Sequence, residues 1–227
     1  MANKFQHLSF DVWNTLIVAN PDYSAARTKY LAHRFDVNPN FAACVYTHMK
    51  RLADKAAEDF GHQFSTAHMY EVLVKAFDQK AGPEVAIEVR HTLEYLFKEH
   101  PPIYDLALVQ ALADRTKGSI SILSNTNFIT GSLLCETVFD KWQEAGVSFC
   151  FKLFSDEYGV AKPSTQFFGL MKTQVMELYN SNHFNMVTHV GDNERCDIYG
   201  AEQAGVKSQF VRNPADTLKF MKAYNDA

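Results

Sequence analysis

The stretch Phe10-Asp11-Val12-Trp13-Asn14-Thr15-Leu16 decides how this chain is read. It follows a short β-prone run, Phe5 to Phe10, so Asp11 is expected where a buried strand breaks into a loop. A carboxylate placed there can attack a substrate. Three further polar signatures follow in order: Ser124-Asn125, Lys162-Pro163, and Gly191-Asp192 with Asp197.

Outward from that stretch the pattern changes twice. From about Asp22 to His100 the chain shows long helical periodicity and almost no strand signal, and Tyr23–Phe35, Phe41–Phe60, Thr66–Lys80 and Glu84–His100 each suit an amphipathic helix. Asn38-Pro39-Asn40, Ser65, Gly82-Pro83 and Pro101-Pro102 punctuate them as caps and breaks. After Tyr104 helix and strand alternate. Helices are expected at Leu106–Thr116, Gly131–Ala145, Ser164–Tyr179 and Asp197–Ala204, and strands at Ser119–Ser124, Ser148–Phe154, Met186–Val190 and Ser208–Val211. Such alternation predicts a parallel sheet with helices on both faces, interrupted after its first strand by a helical insertion. The tail Tyr224 to Ala227 is expected to fray.

Bulk composition narrows the function classes. A chain of 227 residues with 47% apolar side chains can bury a substantial core. A net charge of -4 with interspersed signs lacks the clustered basic face that nucleic acid requires, so a small soluble partner is the expected one. No segment approaches the roughly 20 consecutive apolar residues of a membrane span, and Met-Ala-Asn-Lys-Phe-Gln-His lacks the apolar stretch of a signal peptide; a cytoplasmic location is expected. Cys44, Cys135, Cys150 and Cys196 are widely spaced, which predicts buried free thiols rather than a zinc site or disulfides.

In an open parallel sheet, ligands bind at the carboxyl ends of the strands, so Asp11, Ser124 and Asp192 are candidates for one shared site. In the helical insertion His48, His62, His68, His91 and His100 form no convincing ligand pair and are expected to be solvated or packed, and His189 is expected to be structural. Arg27 and Arg34 are candidates to face a substrate anion, while Lys50-Arg51 reads as a solvated face.

Taken together, the four signatures resemble the ordered motifs of the haloacid dehalogenase-like (HAD) hydrolases. The likeness extends through Phe154–Pro163 and Gly191–Gly205 and covers residues 5–17 and about 104–212; the inserted helices match only as a type of cap. The resemblance implies an α/β fold, with a Rossmann-like three-layer core of residues 1–17 and 103–227 and an all-α cap of residues 18–102. It implies that Asp11 is the nucleophile, forming an aspartyl intermediate, and that Thr15 and Ser124 hold the transferred group or orient Asp11. Asn125 would fix the adjacent loop, and Lys162 would neutralise the crowded negative charge. Trp13 and Asn14 would line the substrate site. A magnesium ion would be held by Asp11, Asp192 and the Trp13 backbone carbonyl, with Asn193 and Asp197 in support, Asp197 either touching the metal shell or holding Lys162.

One departure stands out against that resemblance. Metal-dependent phosphatases of the superfamily carry a second aspartate where this chain has Trp13, and that carboxylate performs acid and base catalysis typically worth about 100–10,000-fold. The 2-haloacid dehalogenases carry a tyrosine at this place and a halide leaving group needs no proton, but they work without metal and lack the Gly191-Asp192 pattern. The preferred expectation is a magnesium-dependent phosphohydrolase of a small phosphorylated metabolite, because an aspartate aimed into an anionic site needs a cation. A 2-haloacid dehalogenase and a non-catalytic ligand-binding protein are the alternatives. Trp13 either packs under the cap or faces the pocket, and in the second case a cap residue could replace the missing acid.

Overall fold

The structure is a computed structural model and describes residues 6–115, 119–180 and 186–226. Phe5, Thr116 and Ala227, at the ends of expected segments, lie outside the described residues. Strands β1 (His7–Phe10), β2 (Ser119–Ser124), β3 (Phe149–Phe154), β4 (Val187–Gly191) and β5 (Lys207–Phe210) form one parallel sheet in the order β3-β2-β1-β4-β5. The central strand β1 is buried throughout, whereas the edge strands β3 and β5 are partly exposed. That burial explains why β1 is short and uncharged.

Period-two alternation gives the two faces of the sheet different chemistry. Leu8 and Phe10 join Ile120 and Ile122 in one apolar layer. On the opposite face Leu123 and Val187 are buried, and the polar residues pair: His7 Nε2 lies 2.8 Å from Ser121 Oγ and His189 Nδ1 lies 3.1 Å from Ser9 Oγ. Because every buried polar group in that strip has a partner, the strip can be covered by helix without a large desolvation cost.

Between β1 and the core helix α5 (Leu106–Ala113) the chain forms α1 (Pro21–Arg34), α2 (Pro39–Phe60), α3 (Thr66–Phe77) and α4 (Pro83–Glu99). The chain leaves and re-enters the sheet region side by side: Val18 N donates to Ile103 O and Ile103 N to Val18 O, each at 2.9 Å. Asn20, Asn38 and Ser65 cap α1, α2 and α3 by accepting backbone N–H bonds, and Gly61 ends α2 in the left-handed region (φ 63°). Leu31, Tyr46, Leu73, Val89 and Leu93 fill a separate core, into which Phe128 projects from the loop after β2. That packing fixes the helical unit over the sheet's carboxyl edge.

The rest of the core follows in order: α6 (Gly131–Leu134), a π-turn at Cys135–Phe139, α7 (Asp140–Glu144), α8 (Ser155–Tyr158), α9 (Thr165–Tyr179), a π-turn at Glu194–Tyr199, α10 (Gly200–Gln203) and α11 (Pro214–Asp226). Helix α5, the α6–α7 segment and α11 cover the Leu8–Phe10 face; α9 and α10 cover the other. The result is the three-layer α/β arrangement with an all-α insertion that the alternation predicts.

Several expectations are corrected. The first helix starts at Pro21 because Asn20-Pro21 is itself a cap signal, and the third stops at Phe77 because the Asp78 side chain accepts from Lys80 N and turns the chain. The helix expected from Asp197 begins at Glu194 as a π-turn capped by Asn193. The tail does not fray within the described residues. Helix α11 runs through Asp226, burying Thr217 and Met221, and Asn225 Nδ2 donates to Ala111 O at 3.1 Å. The cysteines are free, yet Cys196 alone is buried; Cys44 and Cys150 are exposed and Cys135 is intermediate. Cys44 sits on a solvent-facing side of α2 and Cys150 on an edge strand, where a free thiol has nothing to pack under.

Candidate active site

Strand ends assemble the site. Asp11 follows β1, Ser124 closes β2 and Asp192 follows β4, and β1 lies where the chain's progress across the sheet reverses, with β2 and β3 on one side and β4 and β5 on the other. Such a reversal opens a crevice at the carboxyl edge. Asp11 N donates to Val190 O at 2.9 Å, so the loop leaves β1 still anchored to β4. Asp11, Asp192 and Asp197 each place a carboxylate oxygen within 4.8 Å of the others.

One lysine serves this acidic group. Lys162 is 1% exposed, and its Nζ donates to Asp11 Oδ1 at 2.7 Å and to Asp197 Oδ1 at 2.6 Å. Burial alone would depress the Lys162 ammonium, but the two carboxylates outweigh it and hold the lysine charged, above its ordinary range. Burial likewise resists ionisation of Asp197, yet Lys162 and His189 keep it ionised and well below the usual carboxylate range. Asp197 Oδ1 also meets His189 Nε2 at 3.0 Å and Oδ2 accepts from Asn193 N at 3.0 Å. A carboxylate can only accept, so His189 donates from Nε2 and receives the Ser9 hydroxyl at Nδ1; burial pushes its pKa down and keeps it neutral. Of the two roles open to Asp197, the geometry shows the holding of Lys162. Gly191 is required beside it, because a Cβ there would overlap the Asp197 carboxylate.

Asp11 and Asp192 remain undercompensated. Burial raises Asp11 above the usual carboxylate range against the opposing pull of Lys162. Burial and the neighbouring Asp11 push Asp192 up to about 6, and among the described residues the one side chain hydrogen-bonded to its carboxylate is Asn14, whose Nδ2 donates at 3.1 Å. Asn14 reaches it from the left-handed region, φ 54°. Ser124 Oγ donates to Asp11 Oδ1 at 3.0 Å. Asn125 bridges to the lysine's own backbone in both directions, Nδ2 to Lys162 O at 2.8 Å and Oδ1 from Lys162 N at 2.7 Å. Thr15 does not line the cavity; its hydroxyl is buried with no hydrogen-bond partner among the described residues, and its carbonyl accepts from Thr217 Oγ1 at 2.7 Å.

The residues present suit a hard divalent cation. Such an ion takes oxygen ligands, and Asp11 and Asp192 offer carboxylate oxygens beside each other. The Trp13 carbonyl is also free to serve: the surrounding backbone bonds use Val12 O and Ile17 O and pass it by. Trp13 is among the residues lining the cavity and at the same time packs, partly buried, against the sheet's apolar layer.

The cavity above these groups measures about 410 Å³ and its far wall is the helical insertion. Arg27 belongs to that wall, its guanidinium lying 3.8 Å from the Tyr46 ring centroid and 5.3 Å from that of Tyr23. Arg34 does not; it forks onto Glu88 at 2.8 and 2.9 Å on an exposed surface. Lys50 is exposed but also lines the cavity, paired with Asp54 at 2.5 Å, and Arg51 is solvated. His48, His62, His68 and His91 are exposed and His100 is half-buried, and none lines the cavity. Glu58 was not foreseen: it enters from α2, where its Oε1 accepts from Asn193 Nδ2 at 3.1 Å. Tyr23 was not foreseen either. Nothing local marks these two, since Glu58 stands in a run of charged helix residues and Tyr23 reads as a core aromatic.

Comparison of the whole chain with solved structures places this arrangement. The protein YfnB of Bacillus subtilis, described as a HAD-hydrolase and solved with magnesium, superposes with a TM-score of 0.66 at 16% identity over 96% of this chain and 99% of its own. The chain has a haloacid dehalogenase-like fold. A 2-haloacid dehalogenase of Pseudomonas syringae pv. Tomato DC3000 shares the HAD-like fold with a TM-score of 0.62 and 16% identity over 97% of this chain and 99% of that one. A HAD phosphatase of Thermococcus onnurineus gives 0.60 and 15% over 95% and 97%. No protein-family model and no curated protein matches the sequence. Because HAD-like neighbours of both chemistries superpose almost equally well, the fold leaves the reaction to be argued from the site.

Proposed function

We propose that this chain is a magnesium-dependent phosphohydrolase acting on a small phosphorylated metabolite through an aspartyl-phosphate on Asp11. The observation that carries the reading is the grouping of Asp11, Asp192 and Asp197 around a single lysine. One cation cannot compensate three carboxylates in a buried site, and the shortfall falls on Asp11 and Asp192, the two acids free to ligate a metal. When bound there, magnesium supplies a positive charge that compensates the anionic phosphoryl group and the acids together.

The chain's own residues account for the remaining work. Asp11 attacks phosphorus, oriented by Ser124 and Lys162, which both donate to its Oδ1. Lys162 also offers its charge to the phosphoryl oxygens, and Asp197, fixed by His189 and Asn193 N, keeps that lysine in place. Trp13 contributes no carboxylate, so the proton must come from elsewhere. Glu58 takes that role: it reaches the same cavity from the helical unit and is steadied by the neutral amide of Asn193, whereas Asp54 is occupied by Lys50 and Asn127. The helices of residues 18–102 act as a cap that closes over the phosphoryl group and excludes water.

A dehalogenase reading draws on Trp13, since a halide departs without a proton, and on the dehalogenase neighbour. Asp192 opposes it, because without a metal a second carboxylate beside Asp11 only repels an anionic substrate. The test is phosphate release from a panel of phosphorylated metabolites, with magnesium and with chelator, for the parent and Asp11→Asn. Release that requires both magnesium and Asp11 is expected. Halide release from 2-haloacids without phosphate release would replace this reading by the dehalogenase one, and a magnesium site with neither release would make the chain a binding protein.

A further inference from the structure

The segment between α2 and α3 pairs with the loop that carries Lys162. Ala161 N donates to Gly61 O at 3.0 Å and Gln63 N to Gly159 O at 3.2 Å, so His62 and Val160 stand opposite each other in an antiparallel bridge. Gly61 is required there, because its φ is 63° and a Cβ would fall 2.6 Å from Ser164 Cβ. The helical insertion therefore holds the core at a second place, apart from the linkers paired at Val18 and Ile103.

Beside this bridge Gln63 is 6% exposed, and both ends of its amide are engaged. Nε2 donates to Phe64 O at 2.9 Å, which turns Oε1 toward Ser155, and Ser155 Oγ donates to it at 2.8 Å. With its proton so committed, the buried Ser155 hydroxyl accepts from Thr126 N at 2.8 Å. Thr126 directly follows Asn125, whose side chain holds both Lys162 N and Lys162 O. A chain of hydrogen bonds thus runs from the insertion through the loop after β3 to the loop after β2, and returns to the lysine. The loop after β2 is gripped again farther along, where Asn127 Nδ2 donates to Asp54 Oδ1 at 3.0 Å and the Tyr70 hydroxyl to Phe128 O at 3.3 Å.

We infer that Gln63 is a positioning residue for the reaction at Asp11: docking of the α2–α3 segment sets the Ser155 hydroxyl and, through Thr126 and Asn125, the backbone of Lys162. For its chemical consequence the inference rests on the phosphohydrolase reading. Gln63 does not line the cavity, so its influence reaches a substrate only through these loops. Glutamine suits the place because one end of the side chain must donate and the other accept. The lysine is sensitive to such support: its Nζ meets Asp11 and Asp197 at 2.7 and 2.6 Å, and a misplacement of about 1 Å in a reacting site can cost about 100-fold in rate.

The experiment follows backbone amide exchange and 4-nitrophenyl phosphate hydrolysis in the magnesium-loaded full chain; the leaving group of that probe departs without a proton and does not call on Glu58. Gln63→Met, close to glutamine in size, should let the Thr126 and Lys162 amides exchange about 10-fold faster, the effect of about one hydrogen bond, with the β1 amides unchanged. Its kcat should fall by about 10–100-fold while KM and magnesium affinity stay within about 3-fold of the parent. Gln63→Glu supplies the rescue. Protonated, the introduced carboxyl donates to Phe64 O and accepts from Ser155; ionised, it can only accept. Its kcat relative to the parent should therefore approach one at low pH and fall as pH rises, whereas the ratio for Gln63→Met stays flat. Unchanged exchange in Gln63→Met, accelerated exchange with a parental kcat, or a flat ratio for Gln63→Glu would overturn the positioning role. Accelerated exchange in a chain whose parent releases no phosphate would remove the phosphohydrolase reading and leave the coupling of the insertion to the lysine loop standing.

Discussion

At the sheet end of the cavity Lys162, Asp197 and His189 are locked to one another at 2.6–3.0 Å, whereas at the helical end Arg27 is held against the rings of Tyr46 and Tyr23. The first region is preorganised around its own charges; the second is organised by aromatic faces around one cation. Both are buried, so the contrast is not one of solvent access. It separates charges fixed by mutual hydrogen bonds, the preorganisation that catalysis needs before a substrate arrives, from a charge fixed only by ring faces.

The largest expected effect tests the sheet end. Asp11→Asn should lower turnover by at least about 1,000-fold, since covalent catalysis loses its nucleophile, while the fold, followed by circular dichroism, persists. Activity near that of the parent would dissolve the contrast by removing the reacting group. Next in size, Glu58→Gln should cut kcat by about 100-fold, the lower range for proton transfer, with little change in KM. Adding Trp13→Asp to that variant should restore about 10-fold. Failure of Glu58→Gln to slow alkyl phosphates, in a well-folded protein, would return the missing proton to another group.

A smaller effect concerns the metal. Asp192→Asn should weaken magnesium binding, measured by calorimetry, by about 10–100-fold, because the Asn14 bond survives while the charge does not. Unchanged affinity would take Asp192 out of the ligand set. The smallest effect lies at the opposite edge of the sheet. Burial, helped by Arg115, holds His7 down to about 3 from an ordinary 6.5. The unfolded chain therefore binds a proton that the folded chain refuses between those values, and stability, full above about 6.5, falls as pH drops toward 3. His7→Gln, which can keep the bond to Ser121, should lose less stability between pH 7 and 4.5 in urea titrations than the parent. An equal loss would place the acid sensitivity elsewhere, among groups such as Asp197.

Much of the sheet end was legible because its residues are tied to strand ends. Asp11, Ser124 and Asp192 each stand at or directly after a buried strand, so the hydrophobic runs alone place them on one edge. Thr15 shows a limit of such reading: spacing within a loop does not tell which way a side chain turns, and here the hydroxyl is buried with no hydrogen-bond partner among the described residues. Helix α11 was missed although Asn213-Pro214 marks its start and Thr217 and Met221 its buried stripe. The buried stripe is too sparse to stand out among charged neighbours.

The helical end could not be read in the same way. Arg27 and Arg34 are alike in sequence, and only the packing of α1 against α2 and α4 sends one to Tyr46 and the other to Glu88. Glu58 meets Asn193 although the two stand 135 positions apart in the chain, a separation over which periodicity carries no information. By itself, then, the sequence determined the alternating core, the helical insertion and the acids and lysine of the sheet edge, because these follow from local patterning and strand order. Only the tertiary structure decided which residues of the helical insertion line the cavity, that Asp197 bonds Lys162, and that Arg27 stacks on Tyr46. Those depend on the angles at which helices pack over the sheet, and no short stretch of chain encodes an angle.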